Sequence, residues 1–244
     1  MPVTNIKSRW RYGRLEFYNT VSGEVVDILS QVKVMDDFNG PAVDTVNDWN
    51  LTLVNFGTAT AVDGFMTLNT GIADDDNMEV ASDLIFSGTN HAIAECKLRN
   101  DDADKQAFFF GFTDAITATA DLLPIDYSNA GALVSTAANA AGFVSDSDKT
   151  VGGELLMCVG VQANTDVTPV TTGLTPTDGL LMRLRVEIID TTAYYWVNNV
   201  FITSIASAVT AATPLCVYIG SINREGAVNT LDVDYIRAWC NRTA

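Results

Sequence analysis

Leu181-Met-Arg-Leu-Arg-Val-Glu-Ile-Ile189 and, a few residues on, Tyr194-Tyr-Trp-Val-Asn-Asn-Val-Phe-Ile202 decide the fold of this 244-residue chain. In the first run Met182, Leu184, Val186 and Ile188 alternate with Arg183, Arg185 and Glu187, the period of a strand with one buried and one wet face. In the second, two β-rich arms flank Asn198-Asn199, residues that tolerate the positive φ of a tight type I′ turn, so the run reads as a hairpin. The same alternation places Ala92, Ala94, Cys96 and Leu98 inward and Glu95, Lys97 and Arg99 outward along His91–Arg99. Further strands are expected at Gly64–Asn69, Gln106–Thr113, Leu155–Gln162, Leu215–Ser221 and Thr230–Trp239, divided by clusters of Gly, Asn, Asp and Thr. Asp114 to Gly142 has room for a short helix but contains Pro124 and two glycines, and helical periodicity over a longer run is missing. Ten or so strands with closely spaced turns predict an all-β protein, a two-sheet antiparallel sandwich.

Length and charge narrow the function. A chain of this size buries roughly 70–75% of its unfolded surface in one core and needs no metal or disulfide scaffold. With 14 Lys and Arg against 30 Asp and Glu the formal charge is −16, which disfavours nucleic acid and anionic membrane as partners. At 48% hydrophobic and 18% charged residues the chain is too apolar for a disordered acidic tail, and no run reaches the ~20 apolar residues of a membrane span. The start Met-Pro-Val-Thr-Asn-Ile-Lys-Ser-Arg-Trp lacks the apolar core of a signal peptide, so no export is expected and the sequons at Asn50 and Asn241 carry no meaning. Cys96, Cys158, Cys216 and Cys240 form no C-x-x-C pair and read as reduced core thiols.

The charge is split. Residues 1–35 carry Lys7, Arg9, Arg11, Arg14 and Lys33 against Glu16, Glu24 and Asp27, a net of +2, while residues 36–244 hold 9 basic and 27 acidic residues, a net of −18. This predicts a basic N-terminal arm, 1–35, with a hairpin about Asn19–Gly23, and an acidic sandwich, 36–244. The alternative is that the hairpin is simply the first of the main domain.

The order of motifs resembles the concanavalin A-like lectin/glucanase jelly roll, with its laminin-G-like relatives. The residues that carry the resemblance are Asp36-Asp-Phe-Asn-Gly40, Trp49, Val62-Asp-Gly-Phe-Met-Thr-Leu68, Phe108-Phe-Phe-Gly-Phe-Thr-Asp114, Leu184-Arg-Val-Glu187 with Tyr194–Asn199, and Leu231-Asp-Val-Asp-Tyr-Ile-Arg237. The resemblance implies a concanavalin A-like jelly-roll sandwich over about residues 36–240, a fold that hosts lectins, hydrolases, adhesion modules and virion proteins.

Hydrolases of that group carry Glu-x-Asp-x-Glu on one strand, because a period of 2 aims the carboxylates into one cleft. No such string occurs. Glu187 and Asp190 are spaced oddly and point to opposite faces, while Asp232 and Asp234 share a face near the terminal strand and read as structural. His91 is the single histidine, which excludes a multi-histidine metal site, and neither a P-loop nor a dinucleotide fingerprint is present. The sequence therefore predicts that the chain is not an enzyme.

As a binding protein it offers two readings. The clusters Asp74–Asp76, Asp101, Asp102 and Asp104, and Asp146 with Asp148 fit no EF-hand loop and read as solvated. The resemblance implies at most a structural calcium at Asp37 and Asp234, and otherwise no cofactor. In the main reading the chain is a bacteriophage virion structural protein, a capsid decoration or cement protein. It is made in the host cytoplasm, and its arm residues Lys7, Arg9, Trp10, Arg11, Tyr12 and Arg14 grip the major capsid protein, another virion protein or a second copy in a homo-oligomer, using residue types enriched at interfaces. In the alternative it is a carbohydrate-binding, lectin-like module, including tail or fibre adhesion, with Phe109, Tyr194 and Trp196 as aromatic platforms.

Overall fold

A computed structural model describes residues 6–11, 14–19, 25–26, 31–40, 42–45, 49–53, 57–115, 123–128, 131–149 and 155–241, with side chains described from residue 34 onward except at 51–53. In chain order the strands are β1 (Ile6–Arg11), β2 (Arg14–Asn19), β3 (Val25–Val26), β4 (Gln31–Asp36), β5 (Asn50–Leu53), β6 (Thr58–Val62) and β7 (Phe65–Asn69). Next come β8 (Asn77–Ala81), β9 (Ala92–Asn100), β10 (Gln106–Thr113), β11 (Ile125–Tyr127), β12 (Leu133–Ser135), β13 (Ala140–Asp146) and β14 (Met157–Gln162). The chain ends with β15 (Thr165–Thr171), β16 (Met182–Ile189), β17 (Thr192–Val197), β18 (Val200–Ile205), β19 (Cys216–Asn223) and β20 (Thr230–Asn241).

Two antiparallel sheets face each other, as expected from the period-2 runs. One has seven strands in the order β15-β14-β13-β10-β19-β8-β5, and the other eight, in the order β18-β17-β16-β9-β20-β7-β6 with β4 also paired to β20. The first residues of β20 pair with β7 and its last six with β4, so one long strand serves two partners along the same side. The boundary expected at residues 35/36 falls inside β4, whose residues 31–36 already belong to the sandwich. Strands β1, β2 and β3 form a three-stranded sheet of their own, in which Phe17 pairs with Val26 and Arg11 with Arg14. Pro169, which offers no ladder N–H, sits in the edge strand β15, where none is required.

The inward positions read from the sequence are the buried ones. Met182, Leu184, Val186 and Ile188 from β16 and Ala92, Ala94, Cys96 and Leu98 from β9 meet Phe108, Phe110, Phe112 and Phe143 from the seven-stranded sheet, each large side chain contributing about 1.5–3 kcal/mol by leaving water. Tyr195 closes this layer with its ring edge-on to Phe143 at 5.4 Å and its hydroxyl donating to the Val159 carbonyl at 2.7 Å. All four cysteines are buried and free, and burial pushes the Cys158 and Cys216 thiols up to about 12, which makes them inert.

A second apolar layer lies on the other face of the seven-stranded sheet. Leu123, Ile125, Tyr127 and Ala137 cover Ala107, Phe109, Val144, Val159 and Tyr218, so β10, β13 and β19 are buried on both faces. The described part of Asp114–Gly142 is thus the small β11/β12 hairpin, closed where Thr136 N–H donates to the Pro124 carbonyl at 3.1 Å, and not a helix. Beneath it Gly111 pairs with Gly142, and a Cβ on Gly111 would lie 2.3 Å from the Ala141 carbonyl oxygen. Gly111→Ala must therefore push two strands apart, and a loss of about 1–3 kcal/mol or more is expected in urea denaturation; an unchanged midpoint would show that the strands part freely.

Candidate functional site

The outward face of the eight-stranded sheet gathers the aromatic and cationic side chains that the alternation in β16 and β17 aims away from the core. Arg185, Trp196 and Phe201 are cross-strand neighbours in β16, β17 and β18, so they form one row across three strands at the sheet edge. The Arg185 guanidinium lies 4.9 Å from the Trp196 ring centre, Phe201 stands edge-on to the indole at 5.5 Å, and Tyr194 lies 6.4 Å along the same strand face. Phe201 is 52% exposed and Val200 62% exposed. The row is held by the turn: Asn198 and Asn199 have φ of 51° and 67°, as expected for type I′. The Asn198 side-chain oxygen accepts from the Arg183 backbone N–H at 2.9 Å and that of Asn199 accepts from the Arg183 guanidinium at 3.1 Å. Arg183, Arg185, Trp196 and Asn199 together line a cavity of about 120 Å³.

Charges continue along this face as partly exposed pairs. Glu187 accepts from His91 and from Arg185, and Glu95 accepts from Tyr235 and Arg237. Asp232 pairs with Arg99, and Asp234 with Lys97. One of these pairs takes in a residue of the implied calcium site. Asp234 faces an ammonium rather than a cation-sized gap, and Asp37 is exposed, with its carboxylate oxygen 3.4 Å from the Asn39 N–H. Among the described residues no group of three or more His, Cys, Asp or Glu side chains could hold a metal ion.

Phe109 belongs elsewhere. It is fully buried on the seven-stranded sheet against Tyr218, ring centres 5.8 Å apart, and offers no platform. Of the three expected aromatic residues the fold therefore unites only Tyr194 and Trp196. The arm residues lie outside the described side chains, and Tyr12 outside the described residues altogether.

Beneath the hairpin cover the polar groups converge on Arg224, which nothing in its local sequence singles out. Its guanidinium forks onto Asp146 at 2.8 and 3.2 Å, and it reaches Asp75 at 2.5 Å and Asp126 at 3.3 Å, with Asp148 3.6 Å away. Aspartates read as solvated loop residues thus meet one cation. Burial pushes the Asp126 carboxyl up to about 7 against the pull of Arg224, with Asp146 adding to the rise. Nearby, Glu79 is buried on β8 and accepts from the Tyr218 hydroxyl. A carboxyl raised in the folded state binds a proton that the unfolded chain has released, so Asp126 stabilises the fold as pH falls from about 7 towards 4. The stability difference between the wild type and Asp126→Asn should therefore change by up to about 1.4 kcal/mol per pH unit in that window, read by urea denaturation at several pH values; a difference independent of pH would refute the shift.

No protein-family model and no curated protein matches the sequence. Solved structures do match, and over nearly the whole chain. The carbohydrate recognition domain of Emp47p superposes with a TM-score of 0.60 at 12% identity, covering 89% of this chain and 100% of that one. The Bacillus licheniformis β-glucanase gives 0.58 at 10%, covering 87% and 98%. The κ-carrageenase of Pseudoalteromonas carrageenovora gives 0.51 at 12%, covering 86% and 96%. The fold is that of the concanavalin A-like jelly rolls, shared by carbohydrate-recognition domains and glycosidases. This corrects the expectation that the chain is not an enzyme: its fold is shared over nearly the whole chain with glucanases and carrageenases, which keeps glycoside hydrolysis open. The capsid-decoration reading gains no support from these structures.

Proposed function

We propose that the chain is a carbohydrate-binding jelly roll whose saccharide lies on the outward face of β16, β17 and β18. The observation that carries this reading is the row Tyr194, Trp196 and Phe201 beside Arg185, a partly exposed aromatic platform flanked by hydrogen-bond donors. Sugar rings present apolar C–H faces and a rim of hydroxyls, and such a surface meets both. Fold neighbours that recognise carbohydrate support the substrate class. Titration of tryptophan fluorescence with a panel of neutral and acidic oligosaccharides should give saturable quenching; a flat response across the panel contradicts the reading.

Hydrolysis is a second reading, favoured by Glu79 and Asp126. Both face Tyr218, and Asp126, pushed up to about 7, is in the range of a general acid. Both carboxyls are buried, Asp126 on β11 itself and Glu79 on β8, so a substrate reaches them only if the β11/β12 hairpin moves. Release of reducing ends from a polysaccharide, abolished in Glu79→Gln, is the expected sign of this activity; no release from any polysaccharide of the panel refutes it.

A further inference from the structure

The cavity beside Trp196 has a chemistry of its own. Two of its four walls are guanidinium groups, the third is an indole and the fourth an amide. At about 120 Å³ it has room for a few heavy atoms, since one water occupies about 30 Å³ in the liquid. Arg183 donates from one terminal nitrogen to Asn199, and its Nε lies 3.9 Å from Glu95, which itself accepts from Tyr235 and Arg237. Arg185 gives one nitrogen to Glu187, but its Nε is buried with no hydrogen-bond partner in the protein. A buried N–H of a charged group without an acceptor costs about 1–3 kcal/mol or more, so the site favours any ligand that supplies one. Around this corner Arg183, Arg185 and Arg237 face Glu95 and Glu187, a local excess of one positive charge on a chain of formal charge −16. Lys97, the cross-strand neighbour of Arg183, pairs with Asp234 and leaves that local excess unchanged.

Resting on the saccharide reading, we infer that this cavity is a subsite for an oxyanion substituent of the bound saccharide, a sulfate ester or a uronate carboxylate, clamped by Arg183 and Arg185 while the ring lies on Trp196. A planar guanidinium suits this task because it offers two parallel N–H bonds to a pair of oxygens. Nothing covalent changes; the subsite sets specificity.

The test compares oligosaccharides of one backbone in three forms, neutral, sulfated and carrying uronate, by calorimetry on the full chain, with inorganic sulfate as a control. One or both acidic forms should bind at least about tenfold tighter than the neutral form, and whichever does so identifies the substituent. Arg185→Gln and Arg183→Gln should each bring the ratio of acidic to neutral affinity down to about one, with Arg185→Lys recovering part of it. The advantage should shrink as salt is raised. Equal affinity for all three forms, or an advantage that survives in the Arg183→Gln, Arg185→Gln double variant, overturns the subsite while the platform reading stands. Inorganic sulfate binding as tightly as the sulfated oligosaccharide overturns the saccharide part of the inference, and no binding of any saccharide overturns both readings.

Discussion

Arg224→Met is expected to destabilise the fold by about 3–5 kcal/mol, because it leaves two buried carboxyls, Asp126 and Asp146, without their counter-charge. Arg224 is 5% exposed at its side chain and touches the loop at Asp75, the end of β13 at Asp146, and β11 through Asp126 and the Tyr127 carbonyl. Asp146 in turn accepts from the Tyr127 N–H at 2.8 Å. One guanidinium thereby fastens the hairpin cover to the sheet. Methionine keeps much of the volume and removes the charge, so the loss reports electrostatics rather than a cavity. Lowering the pH should recover part of it, since a carboxyl relieved of Arg224 protonates more readily, and Asp126 is already raised by burial. Urea denaturation at pH 7 and pH 5 reads both effects; a loss below about 1 kcal/mol at pH 7 would mean that the cover is held by its apolar contacts alone.

Trp196→Ala is expected to weaken saccharide binding by at least about 30-fold, equivalent to the ~2 kcal/mol of a central aromatic anchor. The indole sits mid-row between Arg185 and Phe201, so its loss removes the stacking surface and releases both neighbours. Trp196→Phe keeps an aromatic face and should retain most of the affinity. Retained binding in the alanine variant would move the site away from this face, whereas an equal loss in both variants would point to local collapse instead of lost stacking.

How much of this was legible in the sequence follows the physics of each element. Clean alternation in Leu181–Ile189 and His91–Arg99 placed every inward residue correctly, because one-sided burial leaves a period-2 trace. Asn198-Asn199 gave the hairpin, and with it the row could have been found: a two-residue turn sets Val197 opposite Val200 and Trp196 opposite Phe201. Arg185 beside Trp196 was harder, since it depends on how β16 pairs with β17 across the four residues between their runs. Phe109 was misplaced for the opposite reason. Phe108-Phe-Phe110 is apolar on both faces because its strand is covered on both, and a continuous apolar run does not say which residue faces which layer. The Arg224 cluster left no local trace at all, as its four carboxylates are brought together from three places in the chain by the turns at the end of the sheet.

Chemical-shift mapping on isotope-labelled protein tests the central claim most directly. On addition of a saccharide that quenches tryptophan fluorescence, the shifts should cluster on β16, β17 and β18, with the Trp196 indole N–H and the Asn199 amide among the largest changes. Shifts confined to β8, β10 and β19 beneath the hairpin cover, with Trp196 unmoved, would contradict it.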